Sequence, residues 1–329
     1  MNMKTTFIPK SHLLANFQQD LMVIFLPALA SLILGQLINI STSDSFLFFA
    51  FYIIESGRLY STFLELFFNR GSLKLKKNLY IIFISLIINI FASYVFKGNF
   101  FVFLFYLTLV HHLFMNVQIL SLYQLKIPKL TNTFYLLSLV IPIILSHFRG
   151  INLGNDLTYS LRPFPIEHII PAVYLDSIFH IGTIFFLIYL SFFYTYLFYK
   201  KDSNAILYIY HSFLYLCCFI LLKNITLAMA IFVLLHGIPF YFFYQKRLSI
   251  THHSKSVKKY AYLYVALMFI IGAILEANIE DGSIYFPPHL NNIIFAMAFF
   301  PVTAHYIFNF FSWNEKNKEY TTIKNYLNR

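Results

Sequence analysis

Charge is what this chain has least of. Only 11% of its 329 residues are Asp, Glu, Lys or Arg, and just 13 are acidic. A soluble domain carries about 25% charged residues, so a water-exposed globular fold is excluded. Cysteine is nearly absent too. Cys217 and Cys218 are adjacent inside an apolar run, so they build no disulfide framework and report no redox compartment. The motifs of soluble enzymes are missing: there is no P-loop, no dinucleotide-binding glycine fingerprint, no HExxH and no GxSxG. No repeat of fixed period and no low-complexity linker interrupts the chain. The polar, basic first twenty residues show no signal-peptide cleavage pattern after the first apolar run, and no lipidation motif is evident. That first run is therefore expected to stay as a helix.

What is present is apolar length. Hydrophobic residues make up 59% of the chain, and they recur in stretches of about 18 or more, the length that spans a bilayer as a helix. The fold class expected is all-α: a polytopic membrane protein of about ten helices. They fall at roughly 21–40, 45–69, 79–96, 100–125, 133–148, 176–200, 204–223, 225–244, 260–276 and 290–313. Residues 1–313 then form one transmembrane domain, and 314–329 form a polar cytoplasmic tail, frayed or lying on the membrane surface. The loop over about 149–175, with Pro163, Pro165 and Pro171, is read as an interfacial helix or a lid.

The basic residues orient this arrangement. With the N-terminus inside, 19 of the 24 Lys and Arg fall in inner segments, 4 in outer ones, and Arg58 within a helix. Such a bias places both termini in the cytoplasm, as in a bacterial inner membrane. The net charge of +11 thus reads as orientation, not as nucleic-acid binding.

Against this apolar background the ionisable groups stand out. His111, His112, His180, His211, His236 and His305 lie inside predicted helices, with Glu55 and Arg58. Ionisable groups in hydrocarbon are costly and mark function by default. At about 1.5 Å rise per residue, Glu55, His112, His236, Arg58 and His305 fall roughly 15–20 Å below the outer face. His211 falls in a similar layer, and His180 sits nearer the outer face. The third, fifth and ninth helices have almost nothing polar at that depth and are expected to face lipid.

Imidazole is a common metal ligand. His112 and Asn116 are four apart, as are His305 and Asn309, which puts each pair on one helix face. A carboxamide can hold the second nitrogen of a metal-bound imidazole, or such a pair can simply join two helices. His236 precedes Gly237 and Pro239, the sequence of a kink. The expected ligands are His112, His236, His305, His211, His180 and Glu55, with His111, Asn116, Asn309 and Arg58 supporting them. Spacing leaves open which of His111 and His112 faces the site. Glu55 and Arg58, three apart, read first as an internal ion pair that neutralises both charges, and otherwise as a carboxylate ligand or base, or as an arginine gripping an anionic head group. The remaining histidines fall in loops or at interfaces and are read as solvated.

Short segments carry a resemblance. LLHGIPFYFFYQKRL and PVTAHYIFNFFSW resemble the late His-containing helices of the membrane β-carotene dioxygenases that form retinal. VHHLFMN and FHIGT resemble two earlier ones. About sixty residues are covered. The resemblance implies iron held by His112, His236 and His305, with His180 in addition, acting with dioxygen on an isoprenoid. The chain departs from that family at three places. It lacks the early P-H-G-x-x-D element, Arg58 stands at a His position in IIESGRLY, and Asn309 replaces an Asp.

The functional expectation is a membrane-embedded, metal-dependent oxidoreductase acting on a lipophilic substrate that enters from the membrane lipid. Non-haem iron is the expected cofactor, with copper, zinc or haem as alternatives. The other readings are a proton- or ion-coupled transporter using His, Glu and Arg, and a haem-binding membrane electron carrier.

Overall fold

The computed structural model describes residues 12–14, 16–38, 53–55, 57–59, 75–96, 100–123, 127–149, 170–222, 225–251, 254–283, 288–312 and 318–327. Apart from short turns and connections these residues are helical, with no strand among them. α1 comprises Phe17–Asp20, a π-helical turn Leu21–Phe25 and Leu26–Ile38. α2 is Leu75–Phe96, α3 Phe100–Tyr123, α4 Lys129–Ser146 and α5 Ala172–Lys200. α6 is Ala205–Leu216, continued by a π-helical turn Cys217–Leu221. α7 is Ile225–Thr251, α8 Lys255–Lys259, α9 Ala261–Ser283, α10 Pro288–Ser312 and α11 Lys318–Leu327.

Among the described residues, six helical segments are long and apolar enough to cross a membrane: Phe17–Gly35, Asn78–Phe96, Phe103–Tyr123, Lys129–Ser146, Val173–Lys200 and Leu227–Ile250. Ala205–Leu221 and Ala261–Ile274 are apolar but shorter. Such a set is compatible with an integral multi-pass membrane protein. α5 shows the reason most directly. It leaves Val173, Ile181, Ile184, Phe185, Ile188 and Phe192 exposed along its length, an apolar surface suited to lipid and not to water. Of the expected second helix, only 53–55 and 57–59 lie within the described residues. Most of the loop expected over 149–175 lies outside them.

The chain divides into two compact units. The first is Met1–Thr42, His112–Leu235 and Leu327–Arg329; the second is Ser43–His111 and His236–Tyr326. Three of the boundaries fall inside helices, in α3, α7 and α11.

In the first unit α1 buries Phe17, Asp20, Ile24, Ala28 and Gly35, one stripe at helical spacing. Asn16 caps its start, the side chain accepting the Gln19 N–H at 2.9 Å. Asp20 is fully buried and is the clamp of this end. Its carboxylate accepts the N–H groups of Leu13 and Leu14, both at 2.7 Å, and the Tyr123 hydroxyl at 2.9 Å. Replacing Asp20 with alanine leaves these donors unmet and is expected to cost about 2–3 kcal/mol. The check is a lower melting temperature together with faster proteolysis before Phe17; an unchanged cleavage rate would remove Asp20 from this role. Elsewhere in the unit α4, α5 and α6 share a core of Leu145, Phe179, Phe186, Leu190, Leu216 and Ile220. Gly182 lets Leu145 approach the α5 backbone.

In the second unit α2 packs on α10. Asn78, Ile81, Ser85, Asn89, Ala92 and Ser93 form the buried face of α2. Small side chains allow membrane helices to approach closely, and polar ones bond across the gap. Thr303 donates to Asn89 Oδ1 at 3.1 Å, and Asn89 Nδ2 donates to the Ser85 carbonyl at 3.1 Å. Ile81, Ala304 and Phe308 fill the space beside them. This corrects the expectation that the third and fifth helices merely face lipid. Each buries a polar face, α4 through Thr131, Tyr135, Ser138 and Ser146. A serine or asparagine with no histidine at helical spacing carries no signal of its own in the sequence. Within the expected tail, residues 318–327 are not frayed: they form the helix α11, which buries Tyr320, Ile323 and Leu327 at helical spacing.

Candidate functional site

The second unit gathers five of the ionisable groups picked out in the sequence. Residues 53–55 form a π-helical turn and 57–59 an α-helical one. π-Turns recur at functional sites. Between the two turns Glu55 and Arg58 pair, with Arg58 Nη2 2.5 Å from Glu55 Oε1. The Arg58 side chain is 0% exposed and that of Glu55 16%. Glycine makes this placement possible. A Cβ on Gly57 would meet the carbonyl oxygen of Phe269 in α9 at 2.6 Å, and one on Gly237 would run into Ile54.

Arg58 turns its other terminal nitrogen to α3. Nη1 lies 3.4 Å from His111 Nε2. A guanidinium only donates, so this nitrogen of His111 is an acceptor and the ring is neutral. The His111 ring stacks on Tyr306 of α10, centroids 4.3 Å apart. The Tyr306 hydroxyl shares a 2.6 Å hydrogen bond with Thr108, one turn before His111. His236 of α7 and His305 of α10 meet His111 edge to face, with centroids 5.3 and 5.1 Å away. Phe240 closes against His305 at 5.6 Å. Asn309 Nδ2 lies 2.9 Å from His305 Nε2, as the i, i+4 spacing predicts. Prolines flank both late histidines: Pro239 follows His236 within α7, and Pro301 precedes His305 within α10. Each removes one backbone hydrogen bond from its helix beside the cluster.

The sequence leaves the choice between His111 and His112 open; in the structure the His111 ring contacts His236 and His305. His111 belongs to the second unit with His236 and His305. His112 belongs to the first unit, where its ring stacks on Phe232 at 4.4 Å. The expected support of His112 by Asn116 is replaced, because Asn116 Nδ2 donates to the Tyr215 hydroxyl at 2.9 Å. His211 also lies in the first unit, its Nδ1 2.6 Å from the Tyr135 hydroxyl. His180 is on the exposed face of α5 and its Nδ1–H donates to the Asp176 carbonyl at 2.7 Å. It joins no cluster among the described residues. His168, His252 and His253 lie outside those residues. Tyr306 and Thr108 were missed in the sequence, where a tyrosine and a threonine in apolar helices carry no signal of their own.

Whether this cluster suits a metal ion is a matter of spacing and aim. Two imidazoles sharing an ion at a metal–nitrogen distance of about 2.0–2.1 Å set their centroids roughly 5 Å apart. The spacing here agrees. The aim does not, since Nε2 of His111 faces a guanidinium and Nε2 of His305 faces Asn309. Among the described residues no group of three or more His, Cys, Asp or Glu side chains is placed to hold a metal ion. A fixed cation against His111 also opposes a second one.

No family model matches this chain, and neither does a curated protein or a solved structure. Function is therefore argued from the cluster itself.

Proposed function

We propose that this chain is a multi-pass membrane protein of about ten spans, with both termini cytoplasmic, that moves protons or proton-coupled ions through Glu55, Arg58 and His111. The lopsided distribution of Lys and Arg supports the orientation. The observation that carries the function is the fully buried Arg58, held between a carboxylate and an imidazole on a different helix. Three ionisable groups in sequence at hydrogen-bond range are an expensive arrangement in an apolar protein, and proton relays are its characteristic use. The charges of Glu55 and Arg58 offset each other. A proton arriving on Glu55 cancels that pairing and frees the guanidinium, so occupancy of the carboxylate and the position of Arg58 are coupled. His236 and His305 extend the polar path from His111.

The three-imidazole spacing favours a second reading, the metal-dependent oxidoreductase implied by the dioxygenase resemblance. His111, His236 and His305 would then hold the ion, with Asn309 orienting His305, and bound iron would supply dioxygen chemistry toward a lipophilic substrate.

One preparation tests both. Purified protein in liposomes, under a potassium-set membrane potential, should admit protons faster than empty liposomes, as read by an internal pH dye. Glu55→Gln should reduce that flux at least tenfold. Proton entry no faster than in empty liposomes would end the relay reading. Near-stoichiometric iron, copper or zinc by mass spectrometry, lost in His236→Ala, would then put the metalloenzyme first. Absence of both would end both.

A further inference from the structure

The second unit carries a concentration of positive charge that the Glu55–Arg58–His111 chain does not use. Residues 246–259 contain Lys246, Arg247, Lys255, Lys258 and Lys259, and no Asp or Glu. Printed contacts gather these cations at one end of the unit. The Tyr241 hydroxyl of α7 donates to the Tyr262 carbonyl of α9 at 2.9 Å, and the Tyr241 ring meets that of Phe269 at 5.4 Å. α7 and α9 are thus pinned together, and all five cations lie on the stretch of chain that joins them beyond the pin. Two more helices reach the same end. The Arg247 guanidinium lies 5.9 Å from the Phe308 ring of α10, and Lys246 Nζ lies 5.4 Å from the Tyr326 ring of α11. Tyr326 brings Lys324 of its own helix with it.

Exposure divides these cations. Arg247 and Lys324 are buried, and Arg247 packs against the rings of Tyr244 and Phe308, an arrangement that holds a cation in place. Lys255, Lys258 and Lys259 are exposed. They stand at i, i+3 and i+4 on α8, which puts them on one helix face, where like charges repel. The C-terminal end of so short a helix offsets only part of that repulsion. No acid within residues 246–259 offsets the rest, and an anionic surface outside the chain does. Tyr260 and Tyr262 follow at once and are 46% and 58% exposed. Lys259 Nζ lies 5.1 Å from the Tyr260 ring. The cluster follows directly on Leu227–Ile250, a helix of membrane-spanning length. Lysines beside exposed tyrosines at such a place suit the headgroup layer, where phosphates meet the cations and phenol rings sit between phosphate and acyl chain. Orientation in a membrane requires only that Lys and Arg be more numerous on one side. It does not require three of them on one face of an exposed helix without a counter-charge.

We propose that α8, together with Lys246, is a binding surface for the headgroups of anionic phospholipids. The proposal rests on the chain crossing a membrane and is independent of proton movement through Glu55.

The test is electron spin resonance on the full chain reconstituted in phosphatidylcholine vesicles. Each sample carries a trace of phosphatidylglycerol or phosphatidylcholine, spin-labelled on the acyl chain, and the immobilised fraction gives the relative association constant. Phosphatidylglycerol should associate roughly threefold or more tightly than phosphatidylcholine. The variant Lys255→Gln/Lys258→Gln/Lys259→Gln should lose about half or more of that preference. An equal removal of charge elsewhere, Lys74→Gln/Lys76→Gln/Lys77→Gln, should keep most of it. Equal association of the two lipids with the unaltered protein would overturn the proposal, as would an α8 variant that keeps as much preference as the control variant. Immobilisation of neither lipid would end the membrane reading and this proposal with it. Because the comparison of lipids uses the unaltered protein, a variant that fails to fold does not remove the test.

Discussion

Replacing Arg58 with alanine is expected to destabilise the protein by about 3–5 kcal/mol, the cost of stripping a buried charge of its partner. The guanidinium is inaccessible, and its removal leaves the Glu55 carboxylate in an apolar surround with Oε2 already lacking a hydrogen-bond partner among the described residues. His111 loses the donor at its Nε2 in the same step. The double variant Glu55→Ala/Arg58→Ala should recover much of the loss, because it removes the desolvated charge as well as its partner. Thermal denaturation of the two single variants and the double one forms a cycle. Additive losses would mean that the pair is not energetically coupled. Proton flux should be lost in all three, including the double variant that regains stability, which separates function from folding.

Substituting Gly57 with alanine should be the most damaging of the glycine-to-alanine changes at the four close approaches. The added Cβ would lie 2.6 Å from the Phe269 carbonyl oxygen and 3.0 Å from its carbonyl carbon. Those are backbone atoms of α9 and cannot rotate aside. Overpacking of this kind costs about 1–3 kcal/mol. The displaced turn also carries Glu55 and Arg58, so flux should fall with stability. Gly35 supplies the control: its added Cβ would meet Leu227 Cδ1 at 2.5 Å, but that atom ends a flexible side chain that can turn away. Gly35→Ala should therefore melt close to the parent protein. Equal damage from the two changes would show that the Phe269 backbone is not what makes Gly57 necessary.

Particular residues show how much was legible beforehand. Among the described residues, the long helices could be read from apolar length, with ends that agree within several residues, as for α3 and α5. Glu55, Arg58, His236 and His305 stand out in the sequence because an ionisable group is conspicuous where charge is scarce, and the structure gathers them around His111. The His305–Asn309 pair followed from spacing alone. The matching pair of His112 and Asn116 did not form, because Tyr215 sits 99 residues further along and takes the carboxamide. The polar face of α2 went unseen because serine and asparagine are ordinary residues until Thr303 arrives opposite them.

The sequence by itself determined the class of molecule: an all-helical protein whose apolar segments suit a bilayer, with a few costly groups inside them. That follows from composition and length, which are properties of each segment alone. Tertiary structure decided which of those groups meet. α3 is buried on both sides where His111 and His112 lie, so hydrophobic periodicity gives no direction to either. Only the packing of α7 and α10 selects His111, and only α4 brings Tyr135 to His211. A stretch of helix buried on more than one face carries no record in its own sequence of which neighbour each face will find.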